Sequence, residues 1–322
     1  MGRVNMSVLE MVERASAREV YGRAIADLAT AHPDVVALTA DLMGTNKFGD
    51  FKKIHPERFF NVGIAEQNLM GVAAGLALDG KVPFVSTFAT FASMRAHEQV
   101  RTDIAYPNLP VKIIATVGGL SGGVMGPTHQ GMEDVGVMRM MPNMTVIAPG
   151  DPLQLAQFVE QAYAMPGPVY IRLGRGNDPV VYDADTRLEI GRAILAAPGD
   201  DATIIVCGTV TNEAIWAAQR LAELGIGARV LDMHTIKPLD VDAVLTAASE
   251  TGRIVTVEDH TVIGGLGSAV AEVVAGSGIA CTVRRLGVPD VFGLVGPPDE
   301  LYHHYGFDTD GIVAAVTDLV RG

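Results

Sequence analysis

Segments of helical and strand periodicity alternate along the first 180 or so residues, and this alternation limits the fold more than any other feature of the chain. Such an order predicts βαβ units, which close into a largely parallel sheet with helices on its faces. Ser16-Ala17-Arg18-Glu19 has the form of a capping box, and Val20, Ala24, Ile25 and Leu28 recur behind it at helical spacing, so Arg18 falls in a first helical turn. Residues 35–39 read as a short buried strand leading to an irregular segment with Asp41 and Gly44, and ligands in open α/β sheets gather at such strand ends. Residues 63–78 predict a helix that stops at Gly80 and carries Glu66 near its start. A strand at 82–87, a helix at 91–105 and a buried strand at 111–117 follow, ahead of a glycine loop at 118–126. Strand 145–149, helix 152–164 and strand 169–173 complete one doubly wound domain near Val180.

Residues 182–189 are polar and 197–201 form a turn cluster, which places a domain boundary between 185 and 186. A second α/β pattern follows, with strands at 203–207, 229–232, 253–258 and 281–286 and helices at 213–224, 267–275 and 311–320. The expected fold is therefore α/β, a parallel-sheet domain over 1–185 and a smaller α/β domain over 186–322, each able to bury its own core.

Charge narrows the function classes. A formal net charge of −13 argues against nucleic-acid or anionic-membrane surfaces, which need clustered Lys and Arg. Cys207 and Cys281 are the two cysteines, both in apolar runs that read as buried strands, so neither a disulfide framework nor a metal-ligand spacing is present and a reducing cytoplasm is expected. Arg3, Glu10, Glu13 and Arg14 open the chain without an apolar run, so no signal peptide is expected. The uncharged stretch 113–132 is broken by six Gly, a Pro and a His, which makes it a loop after a strand and not a membrane span.

The segment Asn61-Val62-Gly63-Ile64-Ala65-Glu66-Gln67-Asn68 is the most informative one. A carboxylate in an apolar strand-to-helix junction must be paired, be protonated or hold something. Spacing leaves open whether Glu66 starts a helix or serves a site, since Glu is favoured at a helix N-terminus in any case. Phe88 and Phe91 fit a core as well as a binding wall, and Arg18 or Arg175 could pair with a surface carboxylate. His129 follows a Gly-Pro pair after the glycine loop, a setting more often functional than a helix face.

Gly63-Ile64-Ala65-Glu66-Gln67-Asn68 resembles the hallmark of the pyrimidine-binding domain shared by transketolases and deoxyxylulose-phosphate synthases, and is related to the β subunits of 2-oxoacid dehydrogenases. The resemblance runs over nearly the whole chain, through Ser86-Thr87-Phe88-Ala89-Thr90-Phe91, Gly126-Pro127-Thr128-His129-Gln130 and Leu173-Gly174-Arg175-Gly176-Asn177. In the second domain it continues through Ile236-Lys237-Pro238-Leu239-Asp240, Val257-Glu258-Asp259-His260 and Gly264-Gly265-Leu266-Gly267. It implies thiamine diphosphate with Mg²⁺ as cofactors and Glu66 as the carboxylate on the aminopyrimidine N1′, where it favours the imino tautomer whose 4′-nitrogen removes the thiazolium C2 proton. It also implies that Phe91 stacks on the pyrimidine, that Phe88 walls it, that Asp41 lies among the cofactor contacts, and that Met94 fills the place of a third aromatic. His129 would face the substrate and help proton transfer, and Arg175, Arg18 and Thr39 would grip the terminal oxygens of a sugar phosphate.

Departures from the family pattern carry as much. The Gly-Asp-Gly motif that holds Mg²⁺ and the diphosphate is absent, so the resemblance implies the C-terminal section of a split enzyme: a self-dimer at rest that joins a diphosphate-binding N-terminal-section subunit, as α₂β₂, to act on a ketose or ketose-like substrate. Val124-Met125 stands where sugar transketolases carry an acidic pair, and Val117 where they carry a His, which weakens the case for ordinary pentose phosphates. Those apolar residues keep open an E1β-like role, passing an acyl or glycolyl unit to a lipoyl or acyl-carrier arm. A non-catalytic subunit would be expected to lose Glu66 or His129, and both remain. A dehydrogenase is disfavoured because no G-x-G-x-x-G follows the first strand.

Overall fold

The structure is a computed structural model that describes residues 14–183 and 186–322. Arg3, Glu10 and Glu13, and part of the polar segment 182–189, lie outside the described residues. The expected α/β architecture is found. A seven-stranded sheet has the order Thr235–Lys237, Thr145–Ile147, Val169–Arg172, Lys112–Thr116, Val82–Phe88, Val35–Thr39, Phe59–Asn61. All its pairings are parallel except the first. A second sheet of five strands runs Thr282–Val288, Arg253–Thr261, Ala202–Cys207, Ala228–Asp232, Ile194–Ala197, with Ile194–Ala197 alone antiparallel.

Local chemistry accounts for these elements. Every residue of Val35–Thr39 and of Lys112–Thr116 is buried, as a parallel strand covered on both faces requires. Ser16 caps the helix Ala17–Ala31 by accepting from the Glu19 N–H at 3.4 Å, but the Glu19 carboxylate turns outward to Lys47 at 3.0 Å, so only half of the capping box closes. The expected helix over 91–105 is wound in three pieces, π-type at Phe91–Arg95 and Val100–Ala105 with α-helix His97–Gln99 between them. Cys207 is buried, whereas Cys281 precedes the edge strand Thr282–Val288 and is half-exposed.

Two findings differ from the sequence pattern. The segment Thr235–Lys237, for which the sequence pattern predicts no strand, is a strand that extends the first sheet by pairing antiparallel with Thr145–Ile147. Its Lys237 ammonium donates to the carbonyls of Arg139 and Met141 and so closes the C-terminal end of the helix Asp134–Met140. Helices Val241–Thr251 and Pro298–Tyr305 also lie outside the helices that the sequence pattern predicts.

The two sheets are joined by buried polar groups. Asp259 accepts from Leu120 N at 2.8 Å and from the Tyr302 hydroxyl at 3.1 Å, and its carbonyl accepts from Arg172 at 2.6 Å. Glu258 accepts from the N–H groups of Leu266 and Gly267 at 2.7 and 2.8 Å, which fixes the start of the helix Leu266–Ser277. Asp232 ends the strand Ala228–Asp232, accepts from the Tyr182 hydroxyl at 2.9 Å, and leaves its other oxygen unpartnered. Burial pushes this carboxyl up to about 7. A carboxyl whose folded pKa lies above its unfolded value stabilises the fold while protonated, so wild-type stability is expected to fall as pH rises from about 4 to about 7. Asp232→Asn should lessen that slope and raise stability at pH 8 by about 2–4 kcal/mol while changing little at pH 4. Urea unfolding at the two pH values checks this, and an equal effect at both would exclude titration of Asp232 as the cause.

Candidate active site

Glu66 is the first residue of the helix Glu66–Leu78. The turn before it is built by Asn61, whose side-chain oxygen accepts from Asp41 N at 2.9 Å and Gly63 N at 3.1 Å, and by Gly63 at φ +76°. Glu66 is fully buried. Its Oε1 accepts from the Thr87 hydroxyl at 3.3 Å, and its Oε2 accepts from Arg95 Nη1 at 2.7 Å.

An aromatic wall stands beside it. Phe88 ends the strand Val82–Phe88 and Phe91 opens the next helical segment, with centroids 5.9 Å apart. The His129 ring meets both edge-on, at 5.9 Å from Phe88 and 5.4 Å from Phe91. The guanidinium of Arg95 lies over Phe91, 4.1 Å from the ring centroid. Glu66, Phe88, Phe91 and His129 thus meet at the carboxyl ends of parallel strands, where open α/β sheets place their ligands. A buried acceptor next to an aromatic face can hold a planar nitrogen heterocycle through one in-plane hydrogen bond.

His129 is carried by the glycine loop, and its Nδ1 lies 2.9 Å from the Thr128 hydroxyl. The loop needs its glycines: Gly119, Gly123 and Gly126 all have positive φ, and a Cβ on Gly119 would lie 2.2 Å from the Asp259 carboxylate. Val117, a fully buried β-branched residue, is also at φ +62°, a strained conformation at the entry to the loop. Gln130 fastens the exit by donating to Gly123 O at 3.3 Å and Leu294 O at 2.9 Å.

Arg18 and Arg175 are brought together at a cavity of about 580 Å³ that Arg14, Ser121, Asn177 and Asp178 also line. Arg18 donates to the carbonyls of Thr45 and Arg175 at 3.2 and 2.6 Å, and its Nε is buried without a partner. Burial, and then the Arg175 charge, hold the Arg18 guanidinium below its usual range. Burial raises the neighbouring Asp178 carboxyl to about 6.

Other expected contacts lie elsewhere. Thr39 is fully buried and donates its hydroxyl to Ser86 O at 3.1 Å, so its one donor is already engaged within the sheet. Asp41 is exposed, at φ +59°, and accepts from Asn61 Nδ2 at 3.2 Å. Met94 is 53% exposed in this single chain. Ile64 and Val124 are likewise exposed apolar residues, at 76% and 68%. Sequence reasoning missed Thr87 and Arg95. The i, i+4 spacing of Phe91 and Arg95 was a usable signal for the second.

Comparison with known proteins agrees with this geometry. Residues 13–180 match the transketolase pyrimidine-binding domain and residues 191–312 the transketolase C-terminal domain. The chain is 43% identical to a putative transketolase C-terminal section of Methanocaldococcus jannaschii, over 94% of this chain and 96% of that protein. It is equally 43% identical to the 6-deoxy-6-sulfo-D-fructose transketolase subunit SqwH of a Clostridium species, over 94% of each. A solved structure described as a split gene transketolase, inactive beta4 tetramer, superimposes with a TM-score of 0.89 at 48% identity, covering 95% of this chain and 99% of that one. The chain belongs to the transketolase family of thiamine-diphosphate-dependent transferases, and it corresponds to the section that its split-gene relatives carry as a separate subunit.

Proposed function

We infer that this chain is the pyrimidine-binding half of a split transketolase that moves a two-carbon ketol unit and works only with a separate diphosphate-binding subunit, as α₂β₂ in the cytoplasm. The observation that carries the reading is the buried Glu66 carboxylate beside the Phe88, Phe91 and His129 rings, which suits an aminopyrimidine and nothing more of the cofactor. Among the described residues, the side chains grouped closely enough to hold a metal are His303, Asp308 and Asp310, remote in function because Asp310 already pairs with Arg220. Mg²⁺ and the diphosphate are therefore assigned to the partner, and the exposed apolar Ile64, Met94 and Val124 to the surface it covers. Thiamine diphosphate, when bound, supplies the nucleophilic carbon that attacks the ketose carbonyl.

The protein's own contribution is placement and proton handling. Glu66 would hold the ring nitrogen N1′ in the plane of its carboxylate, and Phe91 would fix the ring's face. His129, on a loop fastened at both ends, would contact substrate oxygen and exchange a proton there. Arg18 and Arg175, with Arg14 beside them, fit a terminal anion, and SqwH, the Clostridium relative, is named for a ketose that carries one as a sulfonate. We assign the donor to that class, a ketose with a phosphate or sulfonate terminus. Acyl transfer to a lipoyl or carrier arm is not favoured, because relatives at 43% identity are named as a transketolase C-terminal section and a transketolase subunit.

Calorimetry with thiamine diphosphate and Mg²⁺ tests the split. The chain alone should bind weakly and show no ketol transfer, and both should appear when a Gly-Asp-Gly-bearing subunit is added. Micromolar binding with turnover by the chain alone would refute the reading.

A further inference from the structure

A planar aminopyrimidine would need the Glu66 carboxylate and the Phe91 face, and a single side chain already holds both. Arg95 Nη1 donates to Glu66 Oε2 at 2.7 Å while its Cζ lies 4.1 Å from the Phe91 centroid. A guanidinium is flat, donates N–H bonds in its own plane and lays its face on aromatic rings, so it is the side-chain group nearest in form to that heterocycle. Depth separates the two partners: the Glu66 side chain is 2% exposed and that of Arg95 45% exposed. A carboxylate so deep needs a partner at all times, and Arg95 is a partner that water can receive. The backbone beneath is irregular as well. Phe91–Arg95 is wound as π-helix, closed by Ala96 N–H on the Phe91 carbonyl at 3.2 Å, and such wide turns recur at functional sites.

We propose that Arg95 is a positioning residue that keeps the ring's seat in the free subunit, pairing Glu66 and covering Phe91 until an aminopyrimidine takes over both contacts and sends the guanidinium to solvent. The proposal rests on Glu66 and Phe91 being the ring's contacts, as read above. The exchange replaces one N–H donor on Oε2 by another while the Thr87 hydroxyl stays on Oε1, so the carboxylate is never left unpaired. Its functional consequence is a lowered affinity for cofactor in the unpartnered chain, in proportion to the time the seat is taken.

The probe is 4-amino-5-hydroxymethyl-2-methylpyrimidine, which carries the ring without the diphosphate and so needs no partner subunit. Titrated into the full chain, it should bind Arg95→Ala about tenfold more tightly than wild type, the gain expected when an internal competitor is removed. In the wild-type chain, the Arg95 guanidinium NMR signals, displaced by the Phe91 ring, should move toward those of a solvated arginine as the probe saturates. Equal or weaker binding by Arg95→Ala, or signals that stay displaced at saturation, would overturn the proposal. If Arg95→Ala does not fold, the wild-type titration decides alone. Glu66→Gln in the Arg95→Ala background separates the two layers. Weakened binding there supports Glu66 as the ring's contact, and unchanged binding removes that reading and the proposal with it.

Discussion

Glu66→Gln, assembled with the diphosphate-binding subunit, is expected to slow deuterium exchange at the thiazolium C2 of bound cofactor by about 10²–10⁴-fold, the range that one positioned acid–base group contributes. The amide keeps the size of the side chain and one acceptor oxygen, so the Thr87 hydroxyl keeps a partner. What is lost is the anionic acceptor that can share a proton with a ring nitrogen. Arg95, 45% exposed, can leave for solvent once its counter-charge is gone, so the unfolding temperature should shift by no more than a few degrees. Exchange at the wild-type rate would exclude Glu66 from proton handling. If Gln disturbs folding, Glu66→Asp retains the charge one methylene short and should still slow exchange through misplacement.

Parallel strands and the Glu66 junction are legible in the sequence because each depends on local pattern. A run such as Val35–Thr39 is buried on both faces and reads as such, and a carboxylate in an apolar junction stands out against its neighbours. Pairing is less legible, since the strand Thr235–Lys237 is three residues long and its place at the edge of the first sheet is set by tertiary packing. The same limit applies to Thr39, whose hydroxyl looks available in sequence and is spent on Ser86 O because its strand is central and fully covered. Arg95 escaped for another reason. Its spacing from Phe91 is local, but its partner Glu66 lies 29 residues away and only tertiary packing brings the two together.

Arg172→Met is expected to cost about 3–5 kcal/mol, because it leaves a buried carboxylate without its counter-charge. Arg172 ends the strand Val169–Arg172 and its Nε lies 3.0 Å from Asp134 Oδ2, with side chains 6% and 0% exposed. Burial works against the Arg172 charge, and Asp134 and then Asp259 outweigh it, so its proton is held more tightly than usual. The same guanidinium donates to the Gly131 carbonyl at 3.0 Å and the Asp259 carbonyl at 2.6 Å, so it binds the far end of the glycine loop to the second sheet. Gly118 closes over it, since a Cβ there would lie 2.5 Å from Arg172 Nε. The loss should therefore reach His129, through a loop freed at Gly118 and Gly131, as well as global stability. Replacing both charges in Arg172→Met/Asp134→Asn removes the stranded carboxylate and should recover most of the stability, while the Gly131 and Asp259 carbonyls still lack their donor. The double variant would then be stable and poorly active, with a larger loss in kcat than in stability. A double-mutant cycle by urea unfolding, run beside the ketol-transfer assay, measures both, and a single Arg172→Met cost below about 1 kcal/mol would show that the buried pair does not hold the loop.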